Sequence, residues 1–377
     1  MTVITKKPVN PIAHLTPEDI EQIGIELDAI RQDVLDSRGA ADAAYIRRIV
    51  DTQRRLELAS RAVLLGSVFP PAWILGTVGL SIAKILENME IGHNVMHGQW
   101  DWMRDPKIHS TTWEWDNAST AEGWKHSHNE VHHTYTNIVG KDNDLGYGIM
   151  RVDEDQRWHP MYLGQPLWNF INACFFEYGI AAYDLELGRN LRVPKEKRSE
   201  DFKRRASATL AKIRKQATKD YVVHPLLAAP FGAALPTLAA NFTANLVRNV
   251  WSHSVIMCGH FPEGVETFEK KSIPANETRG EWYVRQMLGS ANISGSISLK
   301  TWERTRSRAW LVRAESCITS KPIWTALRKF TSSASFGLAH EPRTEIADPR
   351  YPSSDSISPM PLLSISNPPI ARAVMLL

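Results

Sequence analysis

Three cysteines in 377 residues, Cys174, Cys258 and Cys317, stand far apart and never as a C-x-x-C pair. That excludes a disulfide framework, a cysteine-held iron–sulfur cluster and a zinc ribbon. The chain also lacks a flavin or nicotinamide fingerprint, and neither His159-Pro160 nor His224-Pro225 continues into the His-Pro-Gly-Gly of a haem site. Any redox chemistry must therefore draw its electrons from a separate protein. The N-terminus has no charged-then-apolar leader. With a net charge of +3, no basic stripe with interleaved aromatics and no RNP-like motif, nucleic acid is not a partner.

What the chain does have is histidine and tryptophan. Seven of the thirteen histidines lie between residues 93 and 133, and the thirteen tryptophans suit an interfacial aromatic belt. Imidazole is a borderline nitrogen donor for iron, copper, zinc and nickel. A helix turns about 100° per residue, so His93 and His97 fall one turn apart on one face. His128, His132 and His133 project to one side as i, i+4 and i+5. Five imidazoles pointed one way have no use in an apolar core, and they are enough to bind more than one metal ion.

Around this stretch the chain is organised by two apolar blocks. Residues 1–15 read as a tail, and Thr16-Pro17-Glu18-Asp19 starts a helix with Thr as N-cap and acids in the first turn. A charged amphipathic helix runs from about Ala41 to Arg61. Ala62 to Ala83 carries no charge, one bilayer crossing in length at roughly 20 residues. Pro70-Pro71 divides it, which leaves either one kinked span or the apolar centre of a hairpin. The hairpin is preferred, because Pro-Pro ends helices; Glu57, Arg61, Lys84 and Glu87 would then lie at its outer ends and snorkel to the interface. Gly164–Tyr183 reads as an interfacial helix. The basic run from Arg189 to Lys219 is either a solvated helix face or a cytoplasmic loop obeying the positive-inside rule. Tyr221 to Val247 is again uncharged, and with its continuation to Phe261 it is long enough for two crossings.

The motif His93-x-x-x-His97, then Trp124-x-x-x-His128-Asn129-x-x-His132-His133-x-x-Thr136-Asn137, then Asp142-x-Asp144, resembles the first two histidine boxes of the membrane-bound fatty-acid desaturases. The order of the boxes relative to the apolar blocks matches too. Asn249-Val250-Trp251-Ser252-His253 is most similar to the actinobacterial acyl-CoA 9-desaturase branch, and the likeness covers residues 40 to 295.

That resemblance implies an all-α integral membrane fold. Two helical hairpins, about four transmembrane helices, would carry a cytoplasmic helical cap with the histidine boxes, in the cell membrane. It implies a di-iron centre with His93, His97, His128, His132, His133, Asn249 and His253 as ligands, the Asn acting through water. The substrates would be a long-chain acyl-CoA and O2. The electron donor would be a ferredoxin or an NADPH-dependent oxidoreductase, and the surroundings membrane lipid. The chain then divides into an N-terminal cytoplasmic segment 1–40, a membrane domain 41–295 and an atypical, disordered tail 296–377.

One departure stands against that picture. The family's third box, Gln-or-His-x-x-His-His, is missing: Gln286 has no His-His after it, and the last histidine, His340, stands alone. The expectation is a truncated or frame-shifted relative whose activity is in doubt. Three rivals remain on sequence alone, one of them a hydroxylase of the same superfamily, which begins with the same hydrogen abstraction and inserts oxygen instead. Glu90-x-x-His93 and Glu130-x-x-His133 also fit a soluble ferritin-like di-iron carboxylate protein, and a chain without the third box also fits a non-catalytic membrane remnant. Within the remaining histidines, His260 is a secondary ligand candidate, His126 is expected at the surface, and His109, His159 and His224 are expected to be structural.

Overall fold

A computed structural model describes residues 12–142, 144–152, 156–260 and 265–290; the tail expected at 296–377 lies outside these. The first helix, α1 (Pro17–Asp36), begins as the sequence predicts: the Thr16 side chain accepts from Asp19 N, and Asp19 returns the bond to Thr16 N. Helix α2 (Ala40–Leu64) leads into a short turn, and α3 (Pro70–Ile85) returns antiparallel to it. Pro70 and Pro71 occupy the first turn of α3, where a missing N–H costs nothing. The pair therefore starts a helix, and the hairpin reading holds.

Helix α3 does not stop at Ile85. It runs through a π-helical segment, Leu86–Gly92, into α4 (His93–Met96). The second histidine box repeats the device, with α5 (Ala121–Trp124), a π-helical segment Lys125–His132 and α6 (His133–Tyr135). Two residues, β1 (Ile138–Val139), follow. The chain then forms α7 (Gln165–Cys174), α8 (Phe176–Asp184), α9 (Leu187–Asn190) and α10 (Glu200–Thr218). A third π segment, Lys219–Val223, joins α10 to α11 (His224–Ala228), and the long α12 (Ala234–His260) completes a second hairpin. Finally β2 (Phe268–Glu269) pairs in parallel with β1, and α13 (Arg279–Leu288) packs on α1.

Small residues let the two hairpins approach closely. Leu64, Leu80, Ala240 and Ala244 form the core between α2, α3 and α12, with Trp73 over it. Within the first hairpin, a Cβ on Gly76 would come within 2.7 Å of the Leu64 side chain, so a larger residue there would have to displace it. Polar links reinforce it: Trp73 donates to Pro236 O at 3.0 Å, and the Ser67 and Thr237 hydroxyls meet at 3.1 Å. At the other end of the molecule, Gly24 of α1 faces Gly280 of α13; a Cβ on Gly24 would stand 2.9 Å from Gly280 Cα. The N-terminal segment is thus docked on the main body through α1.

Between the apolar hairpin tips and the histidines lies a layer of buried charge. Asp220, on the third π segment, is fully buried and accepts Lys84 at 2.8 Å and Arg61 at 3.1 Å. Lys84 also reaches Asp116 at 3.1 Å, and Lys219 meets the same carboxylate at 2.8 Å. Asn241 and Asn245 complete the coordination of Asp220 from α12. The expected snorkelling of Arg61 and Lys84 is therefore corrected. Both turn inward, because two carboxylates inside the bundle compensate them and a solvent-facing extension would leave Asp220 unpaired.

The expectation of about four transmembrane helices is met only in outline. Two helical hairpins are present, but no helix among the described residues is long and apolar enough to cross a membrane. Helix α3 has 16 residues, about 24 Å at 1.5 Å per residue, and α12 carries the buried Arg248. Exposed apolar side chains nevertheless concentrate on the hairpin tips, with Phe69, Leu75, Leu226, Phe231 and Leu235 each more than half exposed. The interfacial helix expected over 164–183 is two helices, broken at Phe175, of which α7 exposes Leu167, Trp168 and Phe170.

Because Asp220 is the anion shared by both hairpins, Asp220→Ala should destabilise the protein by about 3 kcal/mol, leaving buried Lys84 only Asp116 and Arg61 only Glu57 as counter-charges. Denaturant unfolding in detergent measures this. The triple change Asp220→Leu, Lys84→Met, Arg61→Leu should recover much of the loss.

Candidate metal centre

The two π segments decide how the histidines meet. In a regular α-helix, positions 128 and 132 would share a face most closely. Here the His133 N–H bonds to His128 O, an i→i+5 turn, so His128 and His133 lie one above the other. Their Nε2 atoms are 3.2 Å apart. Likewise the His93 N–H bonds to Asn88 O, which closes the first π segment immediately before the first box. His93 and His97 then follow an ordinary α turn, with His97 N bonded to His93 O at 3.1 Å, and their Nε2 atoms are 3.1 Å apart. The freed residue, His132, is rotated away and meets His260 at the end of α12, Nε2 to Nε2 3.2 Å.

The two boxes are locked to one another. The Asn129 amide donates to Met96 O at 3.0 Å, tying the second box to the end of the first. Trp124 is buried and stacks on His128 with ring centroids 4.4 Å apart, while its edge meets His93 and His97. His93, His97 and His128 thereby offer one ring nitrogen each within 4.8 Å of one another, and His133 adds a fourth beside His128.

Three of the other ring nitrogens meet oxygen partners. His132 Nδ1 lies 3.0 Å from both oxygens of Asp142, His128 Nδ1 lies 3.3 Å from Asp144, and His260 Nδ1 lies 2.7 Å from Ile256 O. A nitrogen facing a carboxylate or carbonyl at these distances carries the proton, which leaves the Nε2 lone pair for a cation. The sequence left Asp142 and Asp144 open between orienting acceptors and turn residues, and they are both. Asp142 also accepts the backbone N–H of Asn137 at 2.8 Å and of Asp144 at 2.9 Å, and Asn137 takes the left-handed conformation that this turn needs.

These residues fit metal ions. Nε2 atoms 3.1–3.2 Å apart either share a proton in a hydrogen bond or face a common cation, since two bare lone pairs at that distance repel. An ion about 2.0–2.1 Å from each nitrogen would set neighbouring donors about 3 Å apart. An all-imidazole set suits iron, zinc, copper or nickel. His128, His132 and Asp144 also stand close enough to hold an ion. There, however, the carboxylate faces Nδ1 atoms at hydrogen-bond distance, so it orients the rings.

The structure does not bring two of the sequence-assigned ligands to these rings. Asn249 spends its amide on Cys174 O at 3.0 Å and lies beside the buried Arg248–Glu177 ion pair. His253 is buried edge-on against Phe176, and its Nε2 has no hydrogen-bond partner among the described residues. The place assigned to His253 is taken by His260, seven residues on, about 10 Å further along α12. The i, i+7 spacing put both on one face; only the position of the helix end selects between them. The carboxylates of the ferritin-like rival point elsewhere, since Glu90 accepts Tyr45 OH at 2.7 Å and Glu130 is exposed and paired with His126.

Sequence reasoning also missed the groups that brace the second box. Arg285, bidentate on Glu277 at 2.6 and 2.9 Å, caps the carbonyls of Thr134 and Thr136, and Gln286 donates to His133 O at 3.2 Å. Asp184 is buried and accepts from Ser119 and from Ser127, the residue before His128. Burial pushes its carboxyl up to about 7 despite these donors. His132 goes the other way for a buried ring: burial opposes its charge, but Asp144 and Asp142 outweigh it and push it up to about 9. His128 is lowered, chiefly by burial.

Comparison with known proteins gives a consistent answer. The fatty acid desaturase family model matches residues 67–305. The NADPH-dependent stearoyl-CoA 9-desaturases of Mycobacterium tuberculosis strains H37Rv and CDC 1551 are 50% identical over 294 residues, covering 78% of this chain and 68% of theirs. The sn-1 linoleoyl-lipid 6-desaturase of Synechocystis is 25% identical over 244 residues, 64% of this chain and 66% of its own. No solved structure matches.

Two outcomes follow from the geometry. Asp142→Ala frees the His132 ring and should weaken metal binding by about 10–100-fold, read by competition with a chromophoric chelator. For Asp184 the sign is that of a carboxyl raised on folding. The folded protein keeps a proton that the unfolded chain releases, so this group subtracts stability as the pH rises from the ordinary carboxylate range to about 7. Asp184→Asn should flatten the melting temperature over that window, and an unchanged profile would refute the assignment.

Proposed function

Because the chain belongs to the fatty acid desaturase family, we propose that it is an oxidoreductase of the acyl-CoA desaturase type, built to place a cis double bond in a long-chain acyl-CoA. The balanced reaction consumes O2, two electrons and two protons, removes two hydrogens from adjacent methylenes and releases two waters. The observation that carries the reading is the set of paired imidazoles with their Nε2 atoms 3.1–3.2 Å apart, set just beyond two apolar-tipped helical hairpins. An unactivated methylene offers no acidic proton and no leaving group, so acid–base side chains alone cannot attack it. When bound at these histidines, iron would supply the activation of O2 that such a carbon requires.

The residues of this chain have definable parts in that chemistry. His93, His97, His128 and His133 would hold one ion, and His132 with His260 would contribute to a second. Asp142 and Asp144 keep the protons of His132 and His128 on Nδ1, so the Nε2 atoms stay available. Trp124 covers one side of the cluster and excludes water from it. The exposed apolar tips support a membrane-embedded stem, and the basic run from Arg189 to Lys219 supports a cytoplasmic catalytic side. Electrons come from a separate donor, a ferredoxin or an NADPH-dependent oxidoreductase, because the chain carries no redox fingerprint of its own.

The missing third box bears on activity. With His340 the last histidine among the given residues, these 377 residues on their own are proposed to keep the desaturase architecture but to lack turnover. Expression in a desaturase-deficient host, with fatty-acid analysis by mass, tests both levels. The 377-residue chain should yield no cis-unsaturated product, and a version given a Gln-x-x-His-His segment after Gln286 should restore it. Product from the unaltered chain would refute the inactivity. A hydroxylated product from the extended version would move the reading from desaturase to hydroxylase.

A further inference from the structure

The second histidine box ends with α6, and the carbonyls of a helix's last turn have no partner within the helix. Here residues far along the chain supply several of them. Gln286 donates to His133 O at 3.2 Å, and the buried Arg285 directs its guanidinium at Thr134 O and Thr136 O, each at 3.4 Å. Glu277 fixes that guanidinium from the other side, at 2.6 and 2.9 Å. Just past the box, Asn137 donates to Gly289 O at 2.9 Å and to Glu266 O at 3.1 Å, and its carbonyl accepts from Phe268 N at 2.9 Å. The segment 265–290 thus grips the exit of the box at residues 133–139.

That grip is itself held by α1. Gly280, Tyr283 and Met287, spaced i, i+3 and i+7, share one face of α13, and Arg285 and Gln286 project away from it. Tyr283 and Met287 pack with Leu27, Ile23 and Ile30 of α1. Gly280 faces Gly24, and the Tyr283 hydroxyl donates to Asp28 at 2.6 Å. We propose that α1 and α13 form a clasp that aims the second box, with Arg285 and Gln286 as positioning residues for His133 and α1 keeping them in place. The clasp rests on the histidine-ligated reading above and adds to it a device outside the boxes.

The physical reason lies in the His133 peptide. Its N–H is tied within the box, to His128 O, and its carbonyl is tied from outside, by Gln286. Between those two ties the ring is held with its Nε2 3.2 Å from that of His128. Without the outer tie the last turn frays and the ring swings. Losing such an orienting partner weakens a metal site by about 10–100-fold. Helix α13 needs α1 because it has only 10 residues, a length at which a helix in water depends on packing.

The test uses the full chain in detergent with two readouts. One is amide hydrogen exchange over residues 133–139 in the metal-free protein. The other is Co2+ affinity by chelator competition, with the visible ligand-field spectrum. In Gly24→Val the new side chain meets backbone of Gly280 and Arg279 and forces the helices apart, while α1 keeps its helix because Val is a better helix former than Gly. Faster exchange at 133–139, a shifted spectrum and about 10-fold weaker Co2+ binding are expected. Gln286→Met, of similar length without a donor, should do the same, and Gln286→Lys, which returns an N–H donor, should restore both readouts. If circular dichroism shows Gly24→Val misfolded, Asp28→Ala, which removes the partner of Tyr283 at an exposed position, carries the same expectation. Unchanged exchange and spectrum in these variants, even with lower overall stability, would make α1 and α13 mere structural props and overturn the clasp while the histidine-ligated reading stands. No cobalt bound by the unaltered chain would overturn that reading, and the positioning role with it.

Discussion

Each imidazole in the cluster has two nitrogens, and the structure depends on only one of them being left for a cation. For His128, His132 and His260 the other nitrogen is committed to Asp144, Asp142 and Ile256 O respectively. Three Nε2 pairs then face each other at distances that fit either a shared proton or a common cation. That arrangement gives the centre room for a proton or a metal cation between each pair. Much of the surrounding architecture keeps the rings from rotating away. Asn137 and Asp144 backbone N–H groups hold the Asp142 carboxylate, Trp124 stacks on His128, and Arg285 caps the end of the second box.

Below the centre, the two hairpins are joined by opposite charges rather than by apolar contact alone. Asp220 on one hairpin receives Lys84 and Arg61 from the other, while Leu64, Leu80 and the alanines of α12 fill the space beyond. Buried ion pairs add little net stability but penalise any register in which one partner is lost. The pairing can thus align α3 with α12, and with them His93 and His260, which sit at the far ends of those two rods. The third π segment carries Asp220 itself, so all three π segments serve to aim a functional side chain that a regular helix would direct elsewhere.

Much of this was legible before any coordinates. The two boxes, the order of apolar blocks, the helix start at Thr16 and the hairpin at Pro70-Pro71 follow from local rules of capping, proline and periodicity, and they reappear in the structure. The assignments that shifted all involve partners distant in sequence. Arg61 and Lys84 carry no local signal that Asp220, more than a hundred residues away, will turn them inward. His253 and His260 are equivalent by spacing, and the length of α12 relative to the second box decides which one meets His132. Crossing helices were expected from the length of the uncharged blocks, yet those blocks are divided by turns and by buried polar residues, so no single described helix qualifies.

By itself, the sequence determined the chemistry on offer: nitrogen donors grouped in two boxes, without a flavin, nicotinamide or haem fingerprint beside them. Those are properties of composition and short spacing, which folding does not alter. Tertiary structure alone decided which rings pair, because an i→i+5 turn is rare in an isolated helix and forms where the packing around it favours it. Trp124, Asn129 and the Asp142–Asp144 turn make that choice here, setting His128 with His133 and His132 with His260.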